Sequence, residues 1–232
     1  MSNSFFSFRQ FSISQDRCAM KVGTDGVLLG AWAPGGQRIL DVGTGTSLIA
    51  LMMAQRFPTS HVVGIDVDDE ACLQAVENVE NSPFSDRVKI VKSSLQEFLV
   101  EESFDAIVSN PPYFVNSLKN PDARRTLARH TDSLSFDDLF CGVDRLLSEY
   151  GVFSIIIPAD ALEQILLNAC HYGFYVLRQV AVKTVERKLP KRYLLSFRRQ
   201  PFEHVVEEVE VMTDFEGNRS PWFGNLTRDF YL

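Results

Sequence analysis

The stretch RILDVGTGTSLIALMMAQRF, residues 38–57, decides the fold. RILDV is a short apolar run with β-branched residues, GTGTS is a turn, and SLIALMMAQRF is an apolar segment long enough for a helix. A buried strand that feeds a glycine turn and then a helix is the opening unit of an open parallel sheet. Gly43 and Gly45 let the backbone come close to a ligand. A dinucleotide fingerprint needs a third glycine three positions after Gly45, and Leu48 stands there. The turn also lacks the lysine of a phosphate-binding loop, so a pyrophosphate ligand is disfavoured. Asp41, entering the turn, suits a ligand with a cationic group such as an amino-acid ammonium.

Outward from this unit, strand and helix alternate. HVVGID (61–66) reads as the second strand and DDEACLQAVENVENS (68–82) as a helix whose acidic first turn suits the dipole. RVKIVKS (87–93) and SFDAIVSN (103–110) are the next strands. SFDDLFCGVDRLLSEYG (135–151) reads as a helix capped by Ser135 and stopped at Gly151. VFSIIIP (152–158), a helix over 159–173, and three strands over 174–184, 192–199 and 204–211 complete the pattern. The expected fold is α/β, a mostly parallel sheet with helices on both faces in one domain spanning 1–232. Ligands in such sheets bind beyond the carboxyl ends of the strands.

Those ends carry the candidate site. Asp66 lies 21 residues after Gly45, where an acid can accept hydrogen bonds from both hydroxyls of a ribose, with Val67 beside it. A ribose acceptor beside a glycine turn without pyrophosphate features points to an adenosine with an amino-acid tail, S-adenosylmethionine. SNPPYF (109–114) follows the fourth strand. Pro111 and Pro112 stiffen the backbone and remove two N–H donors. Asn110 supplies an amide oxygen and Tyr113 a face for stacking. The set suits an exocyclic amine whose hydrogens go to the Asn110 oxygen and the Pro111 carbonyl.

The order DVGTG, GID, NPPY resembles the class I S-adenosylmethionine-dependent methyltransferases with an Asn-Pro-Pro-Tyr site, Rossmann-like enzymes with a seven-stranded sheet and extra strands or arms at the termini. The opening FSFRQFSISQDRCAMKVGTDGVLLGAW and the ending LTRDFYL narrow this to the bacterial tRNA1(Val) adenine-N6 methyltransferases. That resemblance implies N6-methylation of the adenosine just 3′ of the anticodon, position 37, with Asn110, Pro111, Pro112 and Tyr113 as the catalytic set. It implies that residues 1–37 cover the cofactor, with Lys21 and Thr24 near its methionine carboxylate. Thr24 or Asp25 would cap the helix GVLLGAW. Such enzymes usually carry an acid after the third strand to read the cofactor's adenine; here the stretch is KSSLQEF, so Ser94 or the backbone of Leu95 must serve.

Composition narrows the partners. Net charge is −7, yet residues 119–130 and 183–199 are basic islands in an acidic chain. Arg124, Arg125 and Arg129 in the first and Arg187, Lys188, Lys191 and Arg192 in the second are expected to grip a tRNA backbone. The four cysteines and four histidines follow no metal or redox spacing, so no metal is expected and the thiols are expected to be small buried side chains or inert thiols. No apolar run approaches a membrane span and no leader pattern is visible, so a cytoplasmic monomer is expected. A protein-glutamine N5-methyltransferase shares the Asn-Pro-Pro-Tyr chemistry but usually carries a helical domain ahead of the catalytic one. A non-catalytic nucleotide- or RNA-binding module is the other alternative, and the intact NPPY argues against it.

Overall fold

The computed structural model describes residues 4–18, 20–111, 134–202 and 204–232. An eight-stranded sheet forms the centre. Its strands are β3 (Arg38–Val42), β4 (His61–Asp66), β5 (Val88–Lys92), β6 (Phe104–Ser109), β7 (Leu147–Pro158), β8 (Tyr175–Val185), β9 (Arg192–Arg198) and β10 (Val206–Thr213). Their spatial order is β10-β8-β9-β7-β6-β3-β4-β5. All pairings are parallel except those of β9, which runs antiparallel to both β7 and β8. The seven strands of the expected sheet are present, and β10 extends its edge. The N-terminal arm is a small antiparallel hairpin, β1 (Phe5–Ser7) with β2 (Ser12–Ser14).

Helices cover both faces: α1 (Thr24–Trp32), α2 (Leu48–Arg56), α3 (Asp69–Glu80), α4 (Phe136–Leu146), α5 (Leu162–His171) and α6 (Pro221–Thr227). Alternation along β3 sorts its side chains between two cores. Ile39 packs with α1, α2 and the terminal segments, whereas Leu40 and Val42 pack with Phe140, Phe153 and Phe197 on the opposite face. Asp41 shares the face of Ile39 and so points towards α2.

Two expectations are corrected. The helix expected over 135–151 is capped by Ser135, whose Oγ accepts the Asp138 amide, but it ends at Leu146. Residues 147–151 begin β7, and Gly151 is a close-packing residue: a Cβ there would sit 3.0 Å from the Phe104 carbonyl oxygen. Helix α1 starts from Gly23 with no side-chain cap, because Asp25 turns to an arginine instead. Only Cys18 and Cys72 are buried; Cys141 and Cys170 are exposed.

Candidate active site

The turn between β3 and α2 is built from left-handed residues at every second position: Gly43 at φ 71°, Gly45 at φ 53° and Ser47 at φ 64°. Glycine meets that demand without strain at the first two. A Cβ on either would touch nothing, so the space in front of the turn is open. The turn is fixed from behind: Gly43 and Thr44 amides both donate to the Ile65 carbonyl at 2.9 Å.

Asp41 is fully buried beneath this turn. Its Oδ2 accepts the Thr44 hydroxyl at 2.7 Å and the Ala50 amide at 3.2 Å. Oδ1 has no hydrogen-bond partner among the described residues. Burial pushes the carboxyl up to about 7, against the lowering effect of those two hydrogen bonds and with a smaller push from Asp66. Asp41 is therefore a strut under the cradle that leaves one oxygen without a donor.

Asp66 closes the cradle from β4. Oδ2 accepts the Gly45 amide at 2.8 Å and Oδ1 the Asp68 amide at 3.1 Å. A carboxylate offers about four lone-pair positions, so capacity for two further donors remains. Val67, 44% exposed, follows directly and presents an apolar surface beside it. Asp68 caps α3 by accepting the Ala71 amide, which leaves Asp66 out of the capping role. Ser94 sits at the end of β5, where its Oγ accepts the Glu97 amide and donates to the Glu97 carboxylate. The Leu95 side chain is buried, and its carbonyl accepts from Arg145 at 2.7 Å.

Asn110 emerges from β6 next to β3. Ser109, fully buried, donates its hydroxyl to the Val42 carbonyl at 2.9 Å and so ties the two strand ends together. Asn110 Nδ2 lies 4.0 Å from where a Cβ on Gly26 would stand, so the first turn of α1 packs beside it. Lys21, in the approach to that helix, and Thr24, its first residue, are exposed. Pro111 is buried; Pro112, Tyr113, Arg124, Arg125 and Arg129 lie outside the described residues.

In the second basic island, Arg187, Lys188 and Lys191 are exposed on the turn between β8 and β9. Arg192 is committed elsewhere: its Nε donates to Asp25 Oδ2 at 2.6 Å. Because Arg192 pairs with Pro158 at the end of β7, this turn emerges at the carboxyl end of the sheet, the same end as Asn110.

Sequence reasoning missed two side chains. Asn78 of α3 donates to the Ser14 and Thr46 carbonyls at 2.9 and 3.0 Å and accepts the Ser14 amide at 2.8 Å. Gln74, one turn earlier, accepts the Arg17 amide at 3.2 Å. They staple the N-terminal segment to the glycine turn. The signal was present: two amides four residues apart on a helix face that buries Ala71, Ala75 and Val79. The β1–β2 hairpin itself lies against α3. Cys18 and Cys72 flank this region; burial first, and then the Asp66 charge, pushes both thiols up to about 11, so they stay protonated. A hollow of about 440 Å³ at the opposite end of the strands is lined by Gly35, Arg56 and Asp105. Both charged groups there are engaged with backbone, Arg56 with the Gly30 and Ala33 carbonyls and Asp105 with the Gln37 and Arg38 amides.

An open glycine cradle, a carboxylate with spare acceptor capacity and an adjacent apolar residue fit the ribose and adenine of S-adenosylmethionine. The buried orphan oxygen of Asp41 fits a cationic ligand. Fold and cradle together define a Rossmann-like methyltransferase. A solved predicted O-methyltransferase from Agrobacterium tumefaciens superimposes with a TM-score of 0.72 at 17% identity, over 89% of this chain and 96% of that one. A glycopeptide N-methyltransferase solved with S-adenosylmethionine gives 0.58 at 12% identity, over 78% of this chain and 90% of that one. Residues 22–136 match the family model of the methyltransferase small domain. Full-length relatives go further. The tRNA1(Val) (adenine(37)-N6)-methyltransferase of Bacteroides thetaiotaomicron is 47% identical over 100% of this chain and 99% of its own. That of Tolumonas auensis is 42% identical over 100% and 98%. The chain belongs to the tRNA1(Val) (adenine(37)-N6)-methyltransferase family.

Proposed function

We propose that this enzyme methylates N6 of an adenosine in tRNA, the residue 3′ of the anticodon at position 37 of a valine tRNA, with S-adenosylmethionine as methyl donor. The observation that carries the reading is full-length identity of 47% to a relative of that name, in a chain that has Asn110 at the end of β6 beside the cradle. When bound, the cofactor supplies an electrophilic methyl group on a sulfonium sulfur.

The chain's own residues do the rest. Asp66 holds the ribose, Val67 packs on the adenine, and Ser94 or the Leu95 backbone meets the adenine edge. Lys21 and Thr24 face the methionine carboxylate. The Asn110 side-chain oxygen and the Pro111 carbonyl accept the two hydrogens of the target amine, which draws its lone pair out of conjugation with the purine. Pro112 fixes the path of the chain and Tyr113 stacks on the base. Arg124, Arg125 and Arg129, with Arg187, Lys188 and Lys191, hold phosphates. Among the described residues no helix is long and apolar enough to cross a membrane; the reading puts the enzyme in the cytoplasm, as a monomer, where tRNA is found.

The test is methyl transfer to transcripts of valine tRNA, with nucleosides resolved by mass spectrometry. N6-methyladenosine should form on the wild-type transcript and be absent when position 37 is guanosine. Methyl label on a protein glutamine, with none on RNA, would overturn the reading in favour of glutamine N5-methylation.

A further inference from the structure

The turn that joins β8 to β9 presents a leucine where the surface is otherwise cationic. Leu189 is 85% exposed, between Lys188 and Pro190, with Arg187 and Lys191 on either side. Single exposed leucines are ordinary on a protein surface. This one is distinguished by how it is held and by what surrounds it.

The turn is ordered by its own backbone: Lys188 N donates to the Val185 carbonyl at 3.0 Å and Lys191 N to the Val182 carbonyl at 2.9 Å. Pro190 fixes one backbone dihedral directly after the leucine. The anion of the segment, Glu186, is occupied 3.5 Å from Lys183, so it offsets the base of the turn and not its tip. At the root, the Arg192–Asp25 pair moors the hairpin to the first turn of α1, the turn that packs beside Asn110. Strand β9 stands two places from β6 in the sheet, which is a lateral offset of about 10 Å at ordinary strand spacing. A cationic, apolar-tipped turn, ordered by two backbone hydrogen bonds, thus stands near the amine-binding residue, at the same end of the sheet.

Two other strongly exposed apolar residues do not share these surroundings. Phe215 is 95% exposed at the end of β10, but Asp214 and Glu216 flank it. Leu99, 79% exposed, has Glu97, Glu101 and Glu102 as neighbours in sequence. The acidic neighbours of both places repel phosphates, which the cations of the Leu189 turn attract.

An adenosine in a loop is stacked on its neighbours, and its N6 cannot reach Asn110 until it leaves that stack. Apolar side chains presented among cations perform that task elsewhere by entering the base step and filling the gap. We infer that Leu189 is a wedge: it inserts into the RNA loop next to the target adenosine and takes the place the base vacates, while Arg187, Lys188 and Lys191 hold the flanking phosphates. This rests on the RNA reading above.

The test uses the full chain, S-adenosylhomocysteine and an anticodon stem-loop with 2-aminopurine at the target position, whose fluorescence rises when the base unstacks. Wild type should bind and brighten the probe several-fold. Leu189→Ala should bind at saturation with most of that rise lost, and Leu189→Met should restore it. Lys188→Ala should weaken binding while keeping the full rise at saturation. If Leu189→Ala brightens the probe like wild type, or if wild type binds with no rise, the wedge is wrong. If Leu189→Ala abolishes binding with an unchanged circular dichroism spectrum, the tip is an affinity contact and the wedge is also wrong. Self-association of wild type that is lost in Leu189→Ala would assign the tip to a protein contact. Failure of wild type to bind the stem-loop at all would instead remove the RNA reading, and the wedge with it.

Discussion

Asp66 Oδ2 accepts the amide of Gly45 at 2.8 Å, across 21 residues of sequence. One carboxylate therefore shapes the glycine cradle and, on the proposed reading, also holds the ribose of the ligand in it. Asp66→Ala removes a charged acceptor and frees the turn, and should weaken S-adenosylmethionine binding by about 1.5–3 kcal/mol. Isothermal titration reads this directly. Unchanged affinity would remove Asp66 from the ribose.

Asp41 should make stability depend on pH. An unfolded aspartate ionises near 3.8, while in the fold burial pushes the group up to about 7. Between those values the folded state keeps a proton that the unfolded chain has lost. The stabilisation is complete below the lower value and is lost as pH rises towards the upper one. Asp41→Asn cannot titrate. The stability of wild type relative to Asp41→Asn should thus fall between pH 4 and pH 7 and level off above it, as roughly bounded by those two ionisations. Paired urea titrations at several pH values measure it; parallel curves for the two proteins would show that Asp41 is ionised throughout.

Asn78 should matter as much as any residue of the cradle. It makes three hydrogen bonds, to Ser14 twice and to Thr46, from a nearly fully buried position. Asn78→Ala strands those groups and should cost about 2–3 kcal/mol of stability. Because Thr46 belongs to the glycine turn, cofactor affinity should fall too. Denaturation and titration on the same variant test the link; a stability loss with intact affinity would mean that the staple serves the fold alone.

The sheet was legible because each parallel strand is an apolar run between turn residues, and the site was legible because ligand chemistry gathers at strand ends. The glycine turn, Asp66 and Asn110 could be placed on that rule alone. What stayed hidden depends on long-range contacts. FFS and SIS are too short to declare a hairpin, and Phe8 and Phe11 in the turn between them anchor it by packing with Tyr231 and Phe84. The helix read over 135–151 continued too far since Leu147 is as compatible with a strand as with a helix, and pairing with Phe104 decides it. Arg192 reads in sequence as one more cation of a basic island, and only the fold brings Asp25 to it across 167 residues.

That ion pair separates structure from RNA binding within one island. Arg187→Ala, Lys188→Ala and Lys191→Ala should each lower the salt dependence of tRNA affinity by about 0.7–0.9 of a unit in slope per phosphate released. Arg192→Ala should leave the slope nearly unchanged and reduce stability by about 0.5–1 kcal/mol, since the pair is partly exposed. A double-mutant cycle with Asp25→Ala checks the coupling. A full unit of slope lost on Arg192→Ala would show that the guanidinium leaves Asp25 for a phosphate.

Asn110 is where binding and chemistry part. Its oxygen gains most when positive charge develops on the target nitrogen, since an amine acidified by attack donates more strongly than one at rest. On the proposed reading, Ser109, fixed to the Val42 carbonyl, and the packing of Gly26 beside Asn110 hold the residue for that role. Asn110→Ala should therefore lower kcat by about 10²–10³ while cofactor affinity changes little. Asn110→Asp keeps an acceptor oxygen but places a charge beside the approach to the cradle, and should recover part of the rate at the expense of RNA affinity. Single-turnover transfer to a tRNA transcript, with saturating cofactor, measures rate apart from product release. A near wild-type rate for Asn110→Ala would show that the amine is not activated at this residue. A loss confined to cofactor affinity would make Asn110 a binding residue and move the activation of the amine to the Pro111 carbonyl and the residues that follow it.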